Sequence, residues 1–162
     1  MTATLSAQHD VRPLDNNDVE QVIAIDRVHT GRARRHFFEK RFAAAKLKPN
    51  DFIHIGVMRA GAVRGFAITR ILRGEFGREH VVAALDAVGV ELEGQERGIG
   101  KALMAELTTM MRRAGAHAIQ TQADWTNHNL LRFFAASGLK LSPRLALERS
   151  VTKVLDEKSE EI

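Results

Sequence analysis

The sequence predicts an α/β chain with the element order β-α-α-β-β-β-α-β-α-β. Three observations carry that prediction. Two β-branched apolar runs meet around Ala60-Gly61, the residues from Ile99 to Ala114 repeat at helical period, and short extended runs alternate elsewhere with glycine-terminated amphipathic segments.

Each element follows from local chemistry. Val11 to Leu14 reads as a short strand, and DNNDVEQVIAI follows with Asn17 and Glu20 at capping-box spacing for a first helix. A second helix covers Arg34 to Ala45. The stretch DFIHIGVMRAGAVRGFAITRIL, Asp51 to Leu72, forms a β-hairpin turning at Ala60-Gly61, and HVVAALDAVGVEL, His80 to Leu92, is a third, largely buried strand. From Ile99 the period lengthens, with Leu103, Leu107, Met110, Met111 and Ala114 on the same helical face until Gly115 stops it. HAIQTQAD returns to strand, Asn127 to Ser137 is a helix closed by Gly138, and LKLSPRLALERSV is a last extended segment, broken or bulged near Pro143.

At 162 residues with 44% hydrophobic content, one domain with one core is expected. No internal repeat or low-complexity linker divides the chain, so residues 11–152 are assigned to the domain, 1–10 to an N-terminal extension and 153–162 to an acidic, frayed tail. There is no cysteine, which excludes disulfides, thiolate metal sites and an acyl-cysteine intermediate. No metal site is assigned. No apolar run approaches the roughly 18 to 20 residues of a membrane span, and MTATLSAQHD lacks a basic segment followed by an apolar core. A cytoplasmic location without membrane contact is the expectation. A net charge of +4 favours an anionic partner, but no basic block with interleaved aromatics marks a nucleic-acid surface, so no nucleic acid is expected. Nothing in the sequence specifies the oligomeric state, and a homo-oligomer is compatible with it.

The stretch GVELEGQERGIGKALMAEL, Gly89 to Leu107, places a glycine-rich turn between a strand and the longest helix. Such a junction presents main-chain N–H groups at the positive end of a helix dipole, and glycines at 98 and 100 allow an anion close to the backbone. Arg97 and Lys101 add positive charge, so a phosphate or pyrophosphate fits the chemistry. The spacing rejects two common phosphate loops. Gly94 and Gly100 stand one residue too far apart for a P-loop, with Ala102 in place of its hydroxyl, and Gly98-x-Gly100 is followed by Leu103 where a dinucleotide fingerprint needs glycine.

Gln95-x-x-Gly98-x-Gly100, after a strand ending in Val90 and opening a long helix, resembles the acetyl-CoA motif of the GNAT N-acetyltransferase superfamily. RPLDNND resembles the family's first strand, Gly61-x-Val63-x-Gly65-Phe66 its hairpin, and Asn127 with FFAASGL its last helix. The resemblance spans residues 11 to 152. It implies a three-layer α+β fold with a mixed, mostly antiparallel central sheet and helices on both faces. It also implies an acetyl-CoA-dependent N-acetyltransferase, with acetyl-CoA as cosubstrate and an amine of a small molecule, peptide or protein as acceptor. Val88, Gly89 and Val90 would pair with the pantetheine arm, and the pyrophosphate would sit on the main chain of Glu96, Arg97, Gly98, Ile99, Gly100 and Lys101, with Gln95 shaping the turn. Asn127 would stand near the arm, a role compatible with capping the helix that follows.

The resemblance departs from its pattern where protons are handled. By the resemblance, Phe134 would stand beside the cofactor, where many relatives carry a tyrosine acid; the chain contains no tyrosine, and Gln122 matches the position where relatives that modify protein N-termini often place a glutamate base. Two expectations follow: direct transfer assisted by water and backbone groups, or a non-catalytic acyl-CoA-binding domain. Asp86 is the candidate substitute base, since in a regular strand it shares Val90's face, although a salt-bridged carboxylate fits the position too. Asp124, His128 and His80 are weaker alternatives with surface roles of their own. Arg32, Arg34, Arg35, Lys40 and Arg41 beside Phe37 and Phe38 form either a basic rim for an acidic acceptor or a solvated helix face. Trp125 lines the acceptor pocket or the core.

Overall fold

The computed structural model describes residues 9–93 and 98–152. Five strands, β1 (Asp10–Pro13), β2 (Phe52–Arg59), β3 (Ala62–Leu72), β4 (Val82–Val90) and β5 (Ala118–Gln120), lie in chain order in one sheet. The first four are antiparallel, and β5 joins β4 in parallel. The helices are α1 (Val19–Thr30), α2 (Arg35–Leu47), α3 (Ile99–Arg113) and α4 (His128–Ala136).

Period-two alternation divides the core between the two faces of the sheet. Val22, Ile25, Phe38 and Phe42 of α1 and α2 pack with Phe66, Ile68 and Ala87 on one face. On the other, Ile99, Leu103, Leu107 and Met111 of α3 and Phe134 of α4 pack with Ile55, Ala67, Leu85 and Val90. The helical stripe expected from Ile99 is therefore the buried one, except that Ala114 is exposed and Met104 is buried in its place. At the β2–β3 turn, Ala60 and Gly61 both take positive φ, the geometry of a two-residue turn matching the twist of the strands.

Three expectations are corrected. The capping box lies two residues before Asn17 and Glu20, because Asp15 and Asp18 cap each other reciprocally and Arg12 closes on Asp18 with two 2.8 Å contacts. That pair lowers the Asp18 carboxyl below its ordinary range. The strand expected over His117 to Asp124 is three residues long. No strand forms between Leu139 and Val151: this segment joins no ladder of the sheet, and Leu141, Leu145, Leu147 and Val151 are exposed.

His54 on β2 is buried between the rings of Phe42 and Phe52, with no hydrogen-bond partner for either ring nitrogen among the described residues. Burial disfavours its charged form and lowers it from 6.5 to about 4, against the opposing pull of Asp86. The unfolded chain therefore takes up a proton that the fold refuses as pH falls through that window, and stability drops with it. Denaturant unfolding should show a loss on the order of 2 kcal/mol from this group between about pH 7 and about pH 4.5, which His54→Leu should remove. Equal pH slopes in the two proteins would contradict this account.

Candidate functional site

The β4–β5 ladder covers only Val82 to Ala84 against Ala118 to Gln120. One further link follows, from the Thr121 hydroxyl to the Leu85 carbonyl at 2.8 Å. The chain then leaves the sheet through a turn in which Asp124 accepts from the backbone and hydroxyl of Thr126, contacts that lower the Asp124 carboxyl. Asn127 caps α4 by accepting from the Leu130 N–H at 3.2 Å. Beyond Leu85, no strand among the described residues pairs with β4 on this side, and the edge is open there.

Ladder parity shows which groups that edge presents. The Glu91 N–H donates to the Arg64 carbonyl, and Val90 stands opposite Gly65 in the next pair along. In an antiparallel ladder, hydrogen-bonded and non-hydrogen-bonded pairs alternate, so Val88 and Val90 turn their N–H and C=O groups away from β3, whereas Gly89 spends its own on Phe66. The expected trio thus divides into two edge residues and one inward-bonded glycine. Gly89 has another reason to be glycine: a Cβ there would meet the Phe66 ring at 2.7 Å.

A bulge corrects the placement of Asp86. Ile68 pairs with Ala87 but Thr69 pairs with Leu85, which leaves Asp86 as the extra residue. Val90 belongs to the α3 face, while Asp86 faces α2, held by Arg41 at 2.9 Å and by Arg70 at 2.6 and 2.9 Å. Asp86 therefore lies across the sheet from Val90, its oxygens committed to two guanidinium groups.

At the end of the edge, Gly98 takes φ +72 as the N-cap of α3, and the first helical bond runs from the Ala102 N–H to the Gly98 carbonyl at 3.0 Å. Among the described residues, the N–H groups of Ile99, Gly100 and Lys101 therefore meet no backbone acceptor and no capping side chain. Ile99 is buried and Lys101 exposed. Gly100 answers to packing as well as to any anion, because a Cβ there would stand 2.8 Å from the Phe133 ring of α4. Gln95, Glu96 and Arg97 lie outside the described residues.

The remaining candidates disperse. Phe134 is 6% exposed in the core under α3, and Gln122 is exposed on the segment leaving β5. Trp125 is 84% exposed, which rules out its core role in this chain. His128 is exposed, and His80 stacks on His117 with ring centroids 4.6 Å apart near the start of β4, at the opposite end from the open edge. Of the five cations expected to form a rim, Arg34 grips Asp26, Arg35 pairs with Glu20 and Arg41 with Asp86. Sequence periodicity missed His29, in the last turn of α1, whose Nε2 lies 2.6 Å from the Val90 carbonyl. A carbonyl only accepts, so Nε2 carries the proton. The available signal was a histidine in a helix's final turn, which does not say what it reaches.

Among the described residues, no helix is long and apolar enough to cross a membrane. A five-stranded sheet that opens beside β4, with a glycine-rich helix start at the end of the gap and helices on both faces, defines the class as a mixed-sheet α/β protein. The Acetyltransferase (GNAT) family model matches residues 19–139, and the chain belongs to that family. Among solved structures, the chain is similar to a transcriptional regulator from Bacillus halodurans, with TM-score 0.74, 18% identity, and 88% of this chain and 99% of that one covered. It is also similar to the aminoglycoside N-acetyltransferase AAC(6')-Iy in complex with a CoA bisubstrate analogue, with TM-score 0.72, 17% identity, and 89% and 99% covered. Glucosamine-6-phosphate N-acetyltransferase from Arabidopsis thaliana matches at TM-score 0.68 and 14% identity over 89% and 99%. At these identities the likeness shows the fold. No curated protein matches by sequence.

The Gly100–Phe133 contact makes a test of packing. Gly100→Ala should destabilise by about 1 to 3 kcal/mol through overpacking, and Phe133→Leu in the same chain should recover most of that loss. Strict additivity of the two substitutions in denaturant unfolding would show that the ring is not what Gly100 accommodates.

Proposed function

We propose that this protein is an N-acetyltransferase that binds acetyl-CoA along the open edge of β4 and passes the acetyl group directly to an amine. The observation that carries this reading is the continuity of outward groups from the N–H and C=O of Val88 and the N–H of Val90 to the amides of Ile99, Gly100 and Lys101. An amide-bearing pantetheine arm complements a strand edge, and a pyrophosphate complements an uncapped helix start. Family membership supports the same cosubstrate, and the similar aminoglycoside acetyltransferase was solved with a CoA conjugate.

Acetyl-CoA would supply an activated thioester; the protein's part is to hold and polarise it. An outward N–H from Val88 or Val90 is a fixed donor for the negative charge that grows on the acyl oxygen when an amine attacks. Proximity then replaces a bimolecular encounter, a contribution reaching effective molarities of roughly 10⁵ M or more. Asn127 and Lys101 flank this path in the proposal, while Phe134 contributes apolar packing beneath it. Asp86, closed by two arginines, is a structural carboxylate in this reading. A second reading, acyl-CoA binding without transfer, is favoured by Phe134 and Gln122 at the positions where related enzymes handle protons.

Calorimetric titration with acetyl-CoA, followed by CoA thiol release against a panel of primary amines, separates the two. Saturable binding with amine-dependent thiol release supports transfer, binding without release for any amine supports the second reading, and no binding overturns both. Val88→Pro removes an edge N–H that serves no β3 bond and should weaken acetyl-CoA by about tenfold or more. Unchanged affinity in a folded variant would contradict the edge-pairing geometry.

A further inference from the structure

Two side chains bracket the open edge of β4. Thr121 donates to the Leu85 carbonyl at its start, and His29 donates to the Val90 carbonyl at its end. Between them lie the outward groups of Val88 and the Val90 N–H. The Thr121 hydroxyl serves no other bond among the described residues and handles no proton near neutrality. The imidazole has a second nitrogen. With Nε2–H committed to the carbonyl, Nδ1 is the nitrogen left for another partner, and none meets it among the described residues.

We propose that His29 is the base that takes the acceptor's proton, an inference that rests on the acetyl-transfer reading above. Its Nε2–H to carbonyl bond fixes the tautomer, as a second hydrogen bond does wherever one ring nitrogen must stay free, and a carbonyl stabilises the imidazolium once formed. The end of α1 is itself held in place: Gly31 closes the helix in the left-handed region, and the Thr30 hydroxyl donates to the Asp26 carbonyl at 3.0 Å. The neighbouring carboxylates are spoken for. Glu91 pairs with Arg64 at 2.8 Å, Asp26 with Arg34 at 2.6 Å, and Asp86 lies on the other side of the bulge with Arg41 and Arg70.

The step balances without a further reactant. The acceptor's N–H or O–H proton passes to Nδ1 as its lone pair forms a bond to the acyl carbon, the carbon–sulfur bond breaks, and the departing CoA sulfur takes a proton from the imidazolium or from water. Water can replace the amine in this step, so the role is measurable without knowing the acceptor.

The test uses the full chain with acetyl-CoA as probe and water as acceptor, and compares wild type, His29→Gln and His29→Ala. Glutamine retains an N–H donor of similar reach for the Val90 carbonyl but offers no basic nitrogen. Expected for His29→Gln is acetyl-CoA affinity within about twofold of wild type and a fall of about a hundredfold, or to the buffer rate, in thiol release at saturation. His29→Ala should lose release and also weaken binding. Nitrogen-15 NMR of the wild-type imidazole should report the Nε2–H tautomer, perturbed when acetyl-CoA is added. Unchanged release in His29→Gln, or wild-type release no faster than buffer although acetyl-CoA binds, overturns the role of His29 and leaves the acyl-CoA reading standing. Absence of acetyl-CoA binding overturns both, and the calorimetry alone reveals it.

Discussion

Val82, Ala83 and Ala84 pair with Ala118, Ile119 and Gln120, and there the hydrogen-bond ladder between β4 and β5 stops. The rest of the site depends on that stop. A strand edge with free N–H and C=O groups is costly to leave unsatisfied once it is removed from water, and a ligand that supplies amide partners gains what a neighbouring strand would have gained. The stop has local causes: Thr121 spends its hydroxyl on Leu85, and the Asp124–Thr126 turn carries the chain away to the Asn127 cap of α4. α4 then returns over α3 through the contact of Phe133 with Gly100.

Two irregularities in β3 and β4 set what the edge offers. The bulge at Asp86 reverses the face of every residue after it, so Val90 packs under α3 and Ala87 under α1 and α2, although Leu85 two residues before Ala87 faces α3. A second irregularity, between Val57 and Met58, leaves Arg64 as the extra residue of β3; its backbone carbonyl and side chain both engage Glu91. These features fix the parity that turns Val88 and Val90 outward. The same bulge turns Asp86 towards Arg41 and Arg70, which is why a carboxylate close in sequence to the edge contributes charge balance on the opposite face.

Much of the fold was legible because strong local signals agree with the tertiary outcome. The Ala60-Gly61 turn, the stripe from Ile99 to Met111 and the Asn127 cap each follow from residue chemistry alone. The strand expected after Gly138 failed because alternating Leu145 and Leu147 measure apolarity, while a strand also needs a partner, which no local pattern supplies. Asp86 was misplaced for a related reason: a face inferred from even spacing assumes an unbroken pleat, and the bulge is decided by pairing with Thr69. Of the site, the glycine turn was readable, but three of its glycines answer to packing or backbone demands visible only in three dimensions. Gly89 admits Phe66, Gly100 admits Phe133, and Gly98 adopts positive φ. His29 was invisible because its partner, Val90, lies sixty-one residues away.

The central claim is that an acyl-CoA arm completes the edge of β4 at alternate residues. Amide hydrogen exchange, resolved residue by residue with and without acetyl-CoA, tests it most directly. The amides of Val88 and Val90 should exchange rapidly in the free protein and become protected in the complex, while Gly89, already bonded to Phe66, should be protected in both. Protection appearing at Gly89 instead, or none gained at Val88 and Val90 when acetyl-CoA is bound, would contradict it.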